Sequence, residues 1–312
     1  MSTGLASPLG GVLPVLSVPF TEGWSIDEPA LRAEMDWLFS LGVDGVVVGM
    51  VSEILRMDVG MRRDLAEVVV ASAEGRGASV IGVGAESTPL AVELAAHAAR
   101  LGATAVMVNG PLTSVADDEA LEAYFRAIAD ATGDTPVVVQ DASGYVGRPL
   151  ATGLLLSLLD SYGATKIQFK PEAEPLGPRM GELIAATGGR ARVFDGSGGR
   201  ALVETHVRGA VGTMPGPDLA WAIVPLWDAL QRGDLDRADA LGAAVSAVLS
   251  HTTSLDSYIA VEKHLLVQQG VITSARALGP TGFRLDPTTV AEVDRLVERL
   301  RAVVSETIGE QR

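Results

Sequence analysis

The chain has 312 residues, 47% of them hydrophobic and 20% charged, enough apolar material for a full-sized core and too much for a disordered chain. With 24 basic against 39 acidic residues and a net charge of -15, it lacks the electrostatic footprint of a nucleic-acid or anionic-membrane binder. Cysteine is absent, which removes disulfides, thiolate nucleophiles and Cys-ligated metals, and no apolar stretch reaches the roughly 18 residues of a membrane span. A soluble, cytoplasmic protein is expected.

Eight short runs rich in Val and Ile alternate with amphipathic segments. The runs fall at 12–18, 44–48, 79–83, 103–108, 136–140, 166–170, 192–195 and 210–214, with helix-spaced Leu, Ala and Val at 28–41, 61–74, 89–101 and 119–131. Parallel strands joined by crossover helices produce this alternation. A weak repeat supports it: LGVDGVVVG from Leu41, LGATAVMVN from Leu101 and RGAVGTMPG from Arg208 each set a helix-ending glycine just before a strand. Eight such steps close most simply as an α/β (β/α)8 TIM barrel over residues 1–225, with reactive groups at the C-terminal strand ends. A doubly wound open sheet is the runner-up. Beyond Pro225 the strand signal stops, and helical patterns at 226–232, 235–249, 254–269 and 287–305 predict a C-terminal helical extension, 226–312, packed on the barrel.

Lysine occurs three times, at Lys166, Lys170 and Lys263, and two of these share the sixth strand, KIQFK. Four residues apart on a strand of period two, Lys166 and Lys170 face the same side at opposite ends. Pro171 ends the ladder and leaves Lys170 at the C-terminal mouth. An amine desolvated there, near Ile167 and Phe169, favours its neutral form and attacks carbonyls, which implies Schiff-base chemistry. The competing reading is a salt-bridged strand-end lysine. Lys166, at the closed end, reads as structural.

Several segments resemble the dihydrodipicolinate synthase/N-acetylneuraminate lyase family along nearly the whole chain. They are VLPVLSVPF from Val12, GVDGVVVGMVSE, VIGVGAEST, LGATAVMVNGP, TPVVVQDASG, IQFKP, FDGSGG and GAVGTMPG, in the family's order and spacing. The resemblance implies a (β/α)8 barrel, no cofactor beyond a covalent Schiff base, a small 2-keto acid as substrate, and assembly as a homodimer or tetramer. It places the Schiff-base lysine at Lys170.

Three departures from the family pattern stand out. The family's Gly-Thr-Thr-Gly-Glu carboxylate-binding motif reads Gly49-Met50-Val51-Ser52-Glu53 here, leaving backbone N–H groups at Met50 and Val51, and one hydroxyl, for an anion. Its Tyr-Asn pair at the fifth strand is Gln140-Asp141, and an amide does not shuttle a proton as a phenol does. The arginine expected a few residues on falls at Tyr145, and the tyrosine after strand four is replaced near Leu112 or Thr113. These departures argue against synthase activity. With Ser52-Glu53, Gln140-Asp141-Ala142, Phe169-Lys170 and Phe194-Asp195-Gly196, they resemble the L-2-keto-3-deoxyarabonate dehydratase branch.

The resemblance implies that Lys170 forms an imine with C2 and that a base then draws off a C3 proton. Ser52, Glu53 and Glu172 are the proton-handling candidates, with Gln140 and Asp141 orienting substrate or water. Met50, Val51, Asp195 and Gly196 complete the substrate-binding set. Glu53, Asp141 and Asp195 have structural alternatives as a turn anchor and strand-end caps. The leading expectation is a dehydratase of a 2-keto-3-deoxy sugar acid; a pyruvate-dependent aldolase and a catalytically silent keto-acid binder are the alternatives. The DGSGG run from Asp195 lacks the Gly-Lys-Ser/Thr ending of a phosphate loop, and His97, His206, His251 and His264 share no metal-ligand spacing.

Overall fold

The computed structural model describes residues 8–309 apart from positions 115 and 146. Its strands are β1 (Gly11–Val12), β2 (Gly45–Val48), β3 (Ala78–Gly82), β4 (Ala105–Asn109), β5 (Val137–Asp141), β6 (Ile167–Pro171), β7 (Phe194–Asp195) and β8 (Gly212–Thr213). Each is followed by a helix: α1 (Glu28–Ser40), α2 (Val59–Ala73), α3 (Thr88–Leu101), α4 (Asp118–Ala131), α5 (Thr152–Tyr162), α6 (Leu176–Ala186), α7 (Leu202–Val207) and α8 (Ala220–Arg232). All pairings are parallel, β2 through β6 in chain order and β1 beside β8 beside β7. Single parallel bridges, Val15 to Val47 and Phe169 to Val193, join the two sets into a closed ring. This is a (β/α)8 barrel.

The first strand is shorter than its apolar run because Pro14 has no N–H to donate. Its neighbours nonetheless continue the ladder, with Leu13 N–H donating to Thr213 O at 2.9 Å and Leu16 N–H to Val47 O at 2.8 Å. Alternation along the strands makes two cores. Leu13, Val15, Val47, Val80, Met107, Val138, Phe194 and Met214 fill the barrel interior, while Val46, Val48, Ile81, Val106, Ile167 and Phe169 face the helices. Lys166 closes the floor, its Nζ donating to Thr132 Oγ1, Gly133 O and Thr135 O at 2.6, 2.7 and 2.6 Å.

The C-terminal helices are α9 (Leu235–Leu249), α10 (Leu255–Gln268) and α11 (Pro287–Gly309). The helix expected at 226–232 starts instead at Ala220 and runs through Pro225. It is the barrel's eighth helix, and Gly233, in the left-handed region with φ 71°, ends it. Helix α9 packs on α7, α8 and α11, while α10 lies against Met50–Ser52, the first of two 3-10 turns that follow β2. Among the described residues no helix is long and apolar enough to cross a membrane.

Candidate active site

Strand period and register put one cluster at the open end of the barrel. Gln140 and Lys170 are paired positions on β5 and β6, both directed inward, and Glu172 follows two residues later on the same side. Lys170 Nζ lies 2.8 Å from Glu172 Oε1, and Gln140 Nε2 donates to that same oxygen at 2.9 Å. The lysine and glutamate side chains are 6% and 5% exposed. Glu172 Oε2 is buried without a hydrogen-bond partner among the described residues. All three side chains line one small cavity with Met50, Val51 and Gly196.

Gly196 is required by this packing. A β-carbon there would collide with the Pro171 carbonyl and the Glu172 side chain, so only glycine lets the glutamate fold back toward Lys170. The setting of the amine also differs from the expected apolar seat. Ile167 and Phe169 point away into the helix layer, and the group against Lys170 is a carboxylate.

The remaining candidates part into those at the cavity and those behind it. Met50 and Val51 line it as the first residues of the 3-10 turn, whose opening N–H groups have no partner within the turn. Ser52 is fully buried beneath, its hydroxyl donating to Leu16 O at 2.6 Å and accepting from Gly49 N–H at 3.0 Å, so it locks the turn. Glu53 points to the opposite side. It sits 2.6 Å from Lys263 Nζ and accepts from Leu278 N–H at 2.6 Å, tying the turn to the C-terminal extension. Its φ of 64° costs a non-glycine residue roughly 1–2 kcal/mol, and these two contacts hold it there.

Asp141 accepts from Ser143 N–H and from Leu150 N–H at 3.0 Å, shaping the loop after β5. It lines a neighbouring cavity rather than the one at Lys170. Asp195 is wholly buried and faces outward from β7, where it accepts from Ser197, Thr205 and Thr213; burial raises its carboxyl above the usual range against those hydrogen bonds.

Sequence reasoning met Tyr145 only as a departure from the family pattern, and it passed over Tyr258 and a buried charge network. Tyr145 and Tyr258 line the same cavity as the lysine. Burial, then the nearby Glu172 charge, raises the Tyr145 phenol, and burial raises Tyr258 well above its ordinary value. No periodicity announces Tyr258, because it belongs to α10, more than eighty residues beyond β6. The other feature is a buried charge network behind the Met50–Ser52 turn, where Glu34, Asp218 and Glu262 surround Lys263. Burial pushes Glu34 up to about 8 and Asp218 up to about 7, and it lowers the Lys263 amine. Of the histidines, His264 hydrogen-bonds Asp294 at 2.8 Å and His206 contacts Gln231 at 3.1 Å. Among the described residues no three His, Asp or Glu side chains group as a metal site.

The dihydrodipicolinate synthetase family profile matches residues 8–298 of this chain. A 4-hydroxy-tetrahydrodipicolinate synthase of Thermomicrobium roseum is 35% identical over 202 residues, 64% of this chain and 65% of that protein, so the match spans just under two thirds of the relative. The enzyme of the same name from Ralstonia nicotianae is 28% identical over 74% of this chain and 78% of its own. Among solved structures, a sialic acid aldolase of Ruminococcus gnavus superposes with a TM-score of 0.85 at 22% identity, covering 95% of this chain and 98% of that one. A prophage protein of the dihydrodipicolinic acid synthase family from E. coli K12, in complex with pyruvate, superposes at 0.83 with 24% identity, covering 94% and 99%. At such identities the structural likeness establishes the shared barrel.

Proposed function

Since the chain belongs to the dihydrodipicolinate synthetase family, we propose that it is a Schiff-base-forming lyase of 2-keto acids, and more narrowly a hydro-lyase acting on a 2-keto-3-deoxy sugar acid such as 2-keto-3-deoxyarabonate. The observation that carries the reading is the set Lys170, Glu172 and Gln140 lining one cavity, in which one glutamate oxygen holds the amine and the other is buried with no hydrogen-bond partner among the described residues.

A mechanism follows from that set. Glu172 takes a proton from Lys170 Nζ, the amine adds to the C2 carbonyl of the bound keto acid, and Glu172 returns that proton to the carbinolamine hydroxyl, which leaves as water to give a protonated imine. The substrate carboxylate rests on the N–H groups of Met50 and Val51. Glu172 then removes a C3 proton, and the resulting enamine pushes out the C4 hydroxyl, which leaves as water with the proton Glu172 returns. Hydrolysis of the remaining imine frees the dehydrated product and restores Lys170. Gln140, fixed as a donor to Glu172 Oε1, keeps that carboxylate aimed at both the amine and C3.

Dehydration is preferred because position 140 is an amide where the resemblance leads one to expect a tyrosine, so no phenol from β5 serves C–C bond formation. The names of the synthase relatives favour a second reading, in which the same imine makes or breaks a C–C bond as in a synthase or aldolase. Borohydride reduction in the presence of pyruvate, followed by mass spectrometry, is expected to trap an adduct on Lys170. An adduct persisting in Lys170→Ala would remove this site from consideration, and none in the wild type would leave a silent binder. Incubation with a panel of 2-keto-3-deoxy acids then separates the enzymes, since an aldolase releases pyruvate and a dehydratase does not. Assembly as a homodimer or tetramer belongs to the same proposal and is read by light scattering.

A further inference from the structure

The cavity lined by Lys170 is also lined by a polar side chain from the C-terminal extension. Tyr258, on the inward face of α10, is 6% exposed, and its hydroxyl is buried with no hydrogen-bond partner among the described residues. A buried hydroxyl without a partner costs a folded protein about 1–3 kcal/mol, so its persistence calls for something that satisfies it. The ring borders both the lysine cavity and an adjoining cavity lined by Ser197 and Arg200. The hydroxyl is seated against Gly198, where any β-carbon would collide with it, and Gly198 has a φ of 71° that favours glycine. Backbone has therefore been cleared where the phenol meets the barrel mouth. Tyr145 lines the same two cavities, but it is only half-buried, so water can reach it.

We propose that the Tyr258 hydroxyl is a specificity-determining donor that binds a hydroxyl group on the substrate chain beyond C3, so that the C-terminal extension reads whether the keto acid is hydroxylated. The inference rests on the Schiff-base reading and deepens it. Lys170 and the Met50–Ser52 turn recognise what every 2-keto acid has, a carbonyl and a carboxylate. Tyr258 recognises what pyruvate lacks. A phenol raised by burial keeps its proton across the working range and acts as donor throughout, while Glu172 moves the protons. Leaving that hydroxyl unbound strands a buried donor, which is how a site rejects an analogue missing one group.

The test uses the intact protein and two probes, pyruvate and 2-keto-3-deoxyarabonate, with borohydride trapping rates measured for wild type and Tyr258→Phe, a change that keeps the ring and its packing. The ratio of deoxyarabonate to pyruvate trapping is expected to fall about tenfold in the variant, the effect of one lost hydrogen bond. An unchanged ratio, including equal losses for both probes, overturns the inference and makes Tyr258 a packing residue. So does a wild type that traps pyruvate but not the deoxy acid. A wild type that traps neither removes the Schiff-base reading, and this inference with it.

Discussion

Two buried lysines of this protein each lie against a glutamate, and they illustrate opposite uses of one pair. Lys263 is fully buried, 2.6 Å from Glu53, and its other donors reach Val18 O at 2.8 Å and Arg276 O at 2.6 Å, with the Phe20 ring 4.6 Å away. Two hydrogen bonds and the ion pair hold the wholly buried ammonium, so the pair serves as a clamp between the turn after β2 and the extension. Among the described residues Lys170 is paired with Glu172 alone, and both line a cavity. Burial and an ion pair are therefore common to both; unfilled hydrogen-bonding capacity facing space belongs to one. That difference is why Lys170, and not Lys263, is proposed as the reacting amine.

Substituting the two lysines breaks the comparison most sharply. Lys170→Ala is expected to abolish the borohydride adduct and lower turnover on the order of a thousandfold or more, with little change in melting temperature. Parallel loss of folding, seen by circular dichroism, would show that it too is a clamp. Glu172→Gln keeps the contact with Lys170 but removes the base; a drop in kcat of about a hundredfold or more is expected, and undiminished turnover would assign proton transfer elsewhere. Lys263→Met removes the nearest cation from buried Glu53 and leaves it Arg56 at 3.7 Å, so a stability loss of about 3 kcal/mol in denaturant titration is expected, with adduct formation intact in the folded fraction. A variant as stable as the parent would contradict the clamp.

The smallest effect concerns the acids around Lys263. Glu34 is raised from 4.5 to about 8 and Asp218 from 3.8 to about 7 by burial, so the folded protein holds protons that the unfolded chain has released. The unfolded state thus binds fewer protons between those values, and stability falls as pH rises from about 4 toward 8. Melting temperature is expected to be higher at pH 5 than at pH 8, and Glu34→Gln, which still accepts from Ser17 N–H, should narrow the gap. A melting temperature that climbs over this interval would refute the assignment.

Much of the barrel was legible because strand and helix periods are local. The runs at 44–48 and 136–140 became β2 and β5 within a residue or so, and α9 lies at 235–249 as read. Pro14 and Pro225 misled in opposite directions. Pro14 shortened a strand whose partners kept the ladder going, and Pro225 was accepted inside α8, where packing against β1 and α9 offsets one lost hydrogen bond. In the site, the sequence led to Lys170, Gln140 and Glu172 as separate candidates. It had no means of telling that Glu53 and Ser52, in the most conspicuous motif, turn away from the cavity.

By itself the sequence determined that eight αβ steps exist, that Lys170 stands at the open end of the sixth strand, and that no cysteine chemistry is present. Only the tertiary structure decided which carboxylate meets which lysine. It brought Tyr258 from the extension to the barrel mouth and directed Asp195 outward from β7. The physical reason is range. Period and turn chemistry act over a few residues, whereas contacts such as Lys263 with Val18 and Leu278 with Glu53, 245 and 225 residues apart, exist only once the ring has closed.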